Sequence, residues 1–295
     1  MKKVFLAILF FCIMQVLAGF GALICLEAFD IPPISLIGST IMALATVISG
    51  VITVFLCWNV LKMIQFSTAF NASDISWRWA LKAIAASAAA IFAGDLLSEM
   101  LSLPDVIIDQ VISMANTYWG VAAIAVIAPV IEEILFREGI CGHLLRSGYS
   151  PQKAVWISAV LFGLIHFNLA QIPFAILMGL ILGVIYVRTG NIVLTSIIHI
   201  LNNSVSVVQV HVLGEEVKDF SIVKWTGGNF VAGICIIAGF TLCYILLRKS
   251  LLPDSKVERC KFKYNVYEFK GFSLHRFLPP VRTLCTGMPR CCIYV

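Results

Sequence analysis

The chain has 295 residues, of which 60% are hydrophobic and 13% are charged, and its mean hydropathy is +0.96. This apolar content exceeds what the core of a soluble domain needs and indicates a membrane protein with several spans. The net charge of +5 does not indicate nucleic-acid binding, because the basic residues lie at membrane flanks and in a C-terminal tail.

The first part of the chain, residues 1–118, predicts three membrane spans and one helix on the membrane surface. Residues 4–29 follow a basic start and form an apolar run longer than a signal-peptide core, which predicts an uncleaved first helix. The other predicted elements of this part are spans at residues 34–60 and 79–103 and an interfacial helix at residues 104–118.

The rest of the chain predicts five more spans and a tail. A protease-like core at residues 119–213 would hold four spans, and residues 214–247 would hold a loop and the last span. Glycines and a proline predict a connection at residues 137–152. Residues 248–295 are predicted to form a flexible basic tail in contact with anionic lipid. The predicted spans are at residues 119–136, 153–167, 174–187, 192–213 and 228–247.

The distribution of basic residues sets the expected topology. With the N-terminus in the cytosol, only Lys218 and Lys224 among the basic residues fall on the outer side, which fits the positive-inside rule. We therefore expect an all-α, polytopic transmembrane helix bundle of about eight spans with both termini cytosolic. In a bacterial host this multi-pass protein would lie in the plasma membrane. The C-terminus matches a prenylation box at Cys292 in form only, because valine is not a usual final residue.

Two adjacent carboxylates and an arginine lie in the predicted fourth span, at Glu132, Glu133 and Arg137. Ionised side chains are costly at membrane depth, so such residues usually have partners or a function. Glu133 and Arg137 are four residues apart and share one helix face, so the arginine is expected to neutralise or orient a carboxylate. Taken alone, the arginine would be expected to extend to the headgroups at the inner end of the span.

Two more pairs of site candidates lie in later spans. Phe162 and His166 are four residues apart, as are His199 and Asn203, so each pair shares one helix face. A lone histidine in a transmembrane helix is often a hydrogen-bonded packing residue. Together with the carboxylates, however, these side chains supply the base, electrophile and oxyanion donors of a hydrolytic site. We expect this site in the inner half of the membrane, open to the cytosol.

Other titratable residues fit a hydrolytic site less well. Asp95 and Glu99 stand four residues apart near the outer end of the third span and are expected to be interfacial. The remaining histidines are expected to be solvated: His143, His211 and His275. No G-x-S-x-G motif supports a serine nucleophile, and no C-x-x-C pair supports a structural zinc site.

The three motifs resemble those of the CAAX prenyl endopeptidases and bacteriocin-processing proteins, also called the Abi family of intramembrane proteases. The family patterns E-E-x-x-x-R, F-x-x-x-H and H-x-x-x-N occur here in order and without departure. The resemblance implies an enzyme, a hydrolase that cleaves a peptide bond of a prenylated (CAAX-type) protein or of a leader or bacteriocin-type peptide. The alternatives are a catalytically silent scaffold or immunity protein of the same fold, and a proton-coupled transporter, for which no inverted repeat is visible.

Within that resemblance, we assign roles by chemistry. Glu132 with His166 is expected to hold and deprotonate a water, and His199 and Asn203 are expected to donate hydrogen bonds to the oxyanion. Glu133 would be held by Arg137 as a structural or secondary acid. Phe162 would position the substrate.

A metal-dependent mechanism is the alternative to a water activated by glutamate alone. Glu133, His166 and His199 would supply the two histidines and one carboxylate of a catalytic zinc site, although no H-E-x-x-H motif fixes two ligands on one helix. We favour a mechanism that requires no cofactor, with zinc or another divalent metal as the alternative. The expected partners are membrane lipid and a peptide or lipidated protein, and no nucleic acid.

Overall fold

The computed structural model describes residues 1–70, 75–190 and 192–251, and every regular element in these ranges is helical. The chain divides into two units, Met1–Leu247 and Arg248–Val295. The elements below belong to the first unit, apart from the last residues of the final helix. The predicted tail beyond residue 251, including His275 and Cys292, lies outside the described residues.

Nine helices of eight residues or more form the described chain, joined by short helical turns. The prediction of an all-α bundle is confirmed. The helices are α1 Lys2–Ala28, α2 Leu36–Asn59, α3 Trp77–Leu101, α4 Ile108–Ala115, α5 Tyr118–Arg146, α6 Pro151–Leu164, α7 Gln171–Thr189, α8 Val193–Leu213 and α9 Asn229–Leu251.

Seven of these helices are long and apolar enough to cross a membrane, namely α1, α2, α3, α5, α7, α8 and α9. The chain is therefore an integral, multi-pass membrane protein. Helix α6 has 14 residues. At about 1.5 Å per residue it extends for about 21 Å, less than the hydrocarbon core of about 30 Å. The predicted count of eight spans depends on this short helix and stays a prediction, as does the cytosolic position of both termini.

The predicted connection at residues 137–152 is wrong for most of its length, because α5 continues through it to Arg146. Its glycines do not make a turn; they lie within the helix and allow neighbouring side chains to pack closely against it. A Cβ atom on Gly142 would lie 2.5 Å from the Tyr186 hydroxyl oxygen, closer than a real Cβ approaches another atom. The turn itself is confined to residues 147–150, where Gly148 has a φ of +89°, and α6 begins directly after it at Pro151.

Helix α5 is regular only in part. Two segments with π-type hydrogen bonding, Ala123–Ile127 and Ile134–Gly142, enclose the α-helical segment Ala128–Glu133. Such segments are rare in helices and are frequent at functional sites. The predicted carboxylates thus lie at the junction between α-helical and π-type backbone.

Helices α6 and α7 pack closely because small residues of one face the other. Gly179 lies directly against the backbone of Ala159, and a Cβ atom at this glycine would be 2.8 Å from the Ala159 Cα. Gly183 faces Val155 in the same way. This contact fixes the position of α6, which carries Phe162, relative to the rest of the bundle.

Replacing Gly179 with valine should separate α6 from α7, since the backbone of Ala159 cannot move aside as a flexible side chain can. We expect a loss of about 1–3 kcal/mol in the free energy of unfolding, measured by denaturant titration in mixed micelles. The control is Gly21→Val on α1, where a Cβ atom meets nothing within 4 Å. Equal stability of the two variants would contradict this packing.

Candidate active site

Glu133 and Arg137 form an ion pair in the interior of the bundle. The Arg137 Nε lies 3.1 Å from the Glu133 Oε2, and both side chains are fully buried. The guanidinium also lies over the Phe162 ring, 4.8 Å from its centroid. Arg137 does not extend to the headgroups, because α5 continues for more than two turns beyond it. The pairing expected from the spacing of four is present.

His199 brings the two adjacent carboxylates into one cluster with α8. Its Nδ1 lies 3.2 Å from the Glu133 Oε1, within hydrogen-bonding distance. Its Nε2 lies 3.7 Å from the Glu132 Oε2, which is beyond a direct hydrogen bond and leaves that contact open to a bridging group. The Glu132 side chain is 19% exposed, whereas Glu133 is 0% exposed. The neighbouring carboxylates therefore occupy different environments.

The Phe162 ring packs against both histidines. Its ring makes edge-on contacts with the rings of His166 and His199, with centroids 5.1 and 5.7 Å apart. Phe136 packs against it in the same geometry at 5.2 Å. Phe162 is only 2% exposed. It is thus a packing residue at the centre of the cluster.

His166 lies in the turn that follows α6, because the helix ends at Leu164 and not at the predicted residue 167. Its Nδ1 lies 2.8 Å from the main-chain oxygen of Phe162. A carbonyl oxygen only accepts hydrogen bonds, so Nδ1 carries a proton, and in a neutral ring Nε2 has the lone pair. The next residue, Phe167, has a positive φ of 50°. His166 is half-buried.

The turn that carries His166 is tied to the loop before α4. The Nδ2 of Asn168 donates to the Asp105 Oδ1 at 2.9 Å, and its Oδ1 accepts from the Val106 amide at 3.3 Å. The main-chain oxygen of Asn168 accepts from the first amides of α7. Asn168 is fully buried. This anchor is not visible in the sequence, because a single asparagine in a turn does not indicate its partner.

Asn203 closes a gap in the hydrogen bonding of α5. In the first π-type segment the Ala128 amide donates to the Ala123 oxygen, so the next acceptor, Ile124, would need a donor at position 129. That residue is Pro129, which has no N–H. The Nδ2 of Asn203 donates to the Ile124 oxygen at 2.9 Å instead. Asn203 thereby joins α8 to the turn of α5 that precedes the carboxylates.

The residues as placed do not fit a metal centre. No group of three His, Cys, Asp or Glu side chains in the described ranges is arranged to hold an ion. In the set expected from the sequence, Glu133, His166 and His199, one carboxylate oxygen faces Arg137 and the other faces the imidazole of His199. A guanidinium beside a ligand would repel a cation.

Glu138 is a buried acid that sequence analysis missed. Its Oε1 accepts from the Arg146 Nη1 at 2.7 Å and from the Gln65 amide at 3.2 Å, and its Oε2 accepts from the Tyr186 hydroxyl at 2.6 Å. The network joins the end of α5 to α7 and to the segment after α2. The signal was present, because a helix continued through Gly142 puts Glu138 at a depth where a carboxylate needs partners.

Part of the chain matches a known protein family. Residues 114–205 match the protein family described as type II CAAX prenyl endopeptidase Rce1-like. This range covers about a third of the chain and includes all seven predicted site residues, and the resemblance stated from the motifs is confirmed. No curated protein and no solved structure matches the chain.

Replacing Glu138 with alanine should leave the Arg146 guanidinium, whose side chain is only 14% exposed, without its buried acid. Breaking a buried ion pair in this way costs about 3–5 kcal/mol, which we expect to measure in the free energy of unfolding. The control is Glu27→Ala, an exposed carboxylate on α1, which should change stability by less than about 0.5 kcal/mol. Similar losses in the two variants would argue against a structural role for Glu138.

Proposed function

We propose, from the match of residues 114–205 to the Rce1-like type II CAAX prenyl endopeptidases, that this chain is an intramembrane endopeptidase. It would hydrolyse a peptide bond of a prenylated protein or of a leader-type peptide with a water activated by Glu132. The observation that carries the proposal is that both carboxylates lie beside the His199 ring. Glu133 is held there by Arg137 and by hydrogen-bonding distance to His199, whereas Glu132 makes no direct hydrogen bond in the described ranges.

Glu132 is proposed as the general base. It is the exposed member of the carboxylate pair, and the 3.7 Å between its Oε2 and the His199 Nε2 marks a place where a polar group can lie between them. The carboxylate would take a proton from water as the water oxygen forms a bond to the carbonyl carbon. As the C–N bond breaks, the same proton would pass to the departing amine. No proton is gained or lost over the cycle.

His166 would assist at the water. Its Nδ1 proton is directed to the Phe162 oxygen, and in the neutral ring the Nε2 lone pair would accept a hydrogen bond from the nucleophile. Phe162 would position the two imidazoles against each other and would not contact the substrate. This revises the substrate-positioning role expected from the sequence, because its ring is enclosed by the site residues themselves.

His199 and Asn203 are proposed as the oxyanion donors. For His199 to donate from Nε2 while Nδ1 donates to Glu133, the ring carries both protons, and its charge then lies between two carboxylates. Asn203 uses one hydrogen of its amide for the Ile124 oxygen and keeps the second for the substrate. In this scheme Glu133 and Arg137 act as positioning residues, since they orient His199.

Glu132→Gln removes the proposed base while keeping the size of the side chain. We expect kcat for peptide cleavage to fall by about 10²- to 10⁴-fold. Thermal unfolding should change little, because the 3.7 Å contact of Glu132 with His199 is longer than a direct hydrogen bond. Purified protein in lipid nanodiscs would be given a farnesylated CAAX peptide and a double-glycine leader peptide, with products measured by mass spectrometry.

The control for this measurement is Glu27→Gln on the exposed face of α1, which should cleave at the wild-type rate. Unchanged cleavage by Glu132→Gln would refute Glu132 as the base. Wild-type protein that binds either peptide without cleaving it would instead support the silent scaffold or immunity protein.

Removal of metal separates the two hydrolytic mechanisms. The positions of Glu133 and Arg137 lead us to expect that protein dialysed against a chelator retains its cleavage rate and contains no stoichiometric metal. Elemental analysis of the same active sample would check the second point. Loss of activity that Zn²⁺ restores would favour the metal set of Glu133, His166 and His199.

A further inference from the structure

A cavity lies apart from the carboxylate cluster. Its volume is about 500 Å³, within the range of about 300–1,000 Å³ that is usual for small-molecule sites. Helices α3 and α8, the start of α7 and residues 217–222 line it. Most of the wall is hydrocarbon or aromatic, contributed by side chains that include Ile84, Ile91, Phe92, Phe174, Ile198 and Val205.

The charged groups in this wall are both acidic. Asp95 and Glu99 line the cavity, and no Lys, Arg or His is among the described residues that do so. Glu99 has fixed partners, since it accepts hydrogen bonds from the Ser221 hydroxyl and the Val223 amide. Asp95 has no hydrogen-bond or ion-pair partner in the described ranges. An unpaired carboxylate therefore faces a space with apolar walls.

An ionised carboxylate in such surroundings is stabilised by a cation, and the wall supplies none. A bare metal ion does not fit, because Glu99 is engaged elsewhere and the other lining groups are mainly hydrocarbon. A ligand that complements one free carboxylate within apolar walls is an organic molecule with a single positive charge and a hydrocarbon chain. We propose that this cavity binds an amphiphilic organic cation, with its protonated amine at Asp95 and its chain along the apolar wall.

The cavity and the proposed active site use different faces of α8. Ile198, Asn202, Val205 and Gln209 recur at helical spacing and line the cavity. His199 and Asn203 are each displaced by one residue and contact α5. One hydrogen bond joins the two faces, from the Asn202 Nδ2 to the Asn203 Oδ1 at 3.0 Å. The binding proposal does not rest on the proposed protease activity.

Binding of radiolabelled octylamine tests the proposal. Equilibrium dialysis against the full-length protein in zwitterionic nanodiscs, corrected with empty nanodiscs, should show saturable binding of one molecule per chain. Asp95→Asn keeps the shape of the side chain but removes its charge, and should weaken binding about ten- to hundredfold. Asp30→Asn, at an exposed carboxylate beyond α1, should bind as the wild type does.

A neutral competitor distinguishes a site that binds a cation from one that binds any apolar chain. Unlabelled octanol has the same chain as octylamine but no charge, and should compete at least about tenfold more weakly. Competition by octanol equal to that by octylamine would overturn the proposal, as would unchanged binding to folded Asp95→Asn protein. Ala88→Phe narrows the cavity without altering Asp95 and should also reduce binding, so retained affinity in this variant would place the amine elsewhere.

Discussion

The ion pair between Glu133 and Arg137 is the interaction on which the carboxylate cluster depends. Both charges are fully buried, so each is tolerable only because the other is present. The pair also sets its neighbours, since Glu133 holds the imidazole of His199 and Arg137 covers the ring of Phe162. Three segments, α5, the end of α6 and α8, are thereby fixed around one local contact between residues a helical turn apart.

The contact between Glu133 and Arg137 was easier to predict from the sequence than the bounds of the helices that carry the proposed site. The spacing of four residues predicted the Glu133–Arg137 pair, because residues four apart are neighbours on one face of a helix. The extent of α5 could not be predicted in the same way. In a sequence, glycines such as Gly139 and Gly142 can indicate either a turn or a close contact between helices. The end of α6 before His166 was equally hidden, since an apolar run continues past it.

Long-range hydrogen bonds were the other part that no local pattern could give. Asp105 and Asn168 meet across loops, and Asn203 meets the Ile124 oxygen only because Pro129 leaves that oxygen free. The proline was visible in the sequence, but the acceptor it frees depends on the π-type backbone around it. The cavity beside Asp95 could not be predicted for a related reason, because it is formed by segments distant in the chain.

The π-type segment Ile134–Gly142 has a consequence for the angular phase of α5. An α-helix turns by about 100° per residue, so an extra residue within one turn shifts the direction of all later side chains relative to the earlier ones. Arg137 faces back to Glu133, while the adjacent Glu138 faces Tyr186 on another helix. Deleting one residue from this segment would leave the helix apolar but would rotate the side chains after the deletion relative to those before it. The contact of Glu133 with Arg137 and the contact of Glu138 with Tyr186 could then not both form.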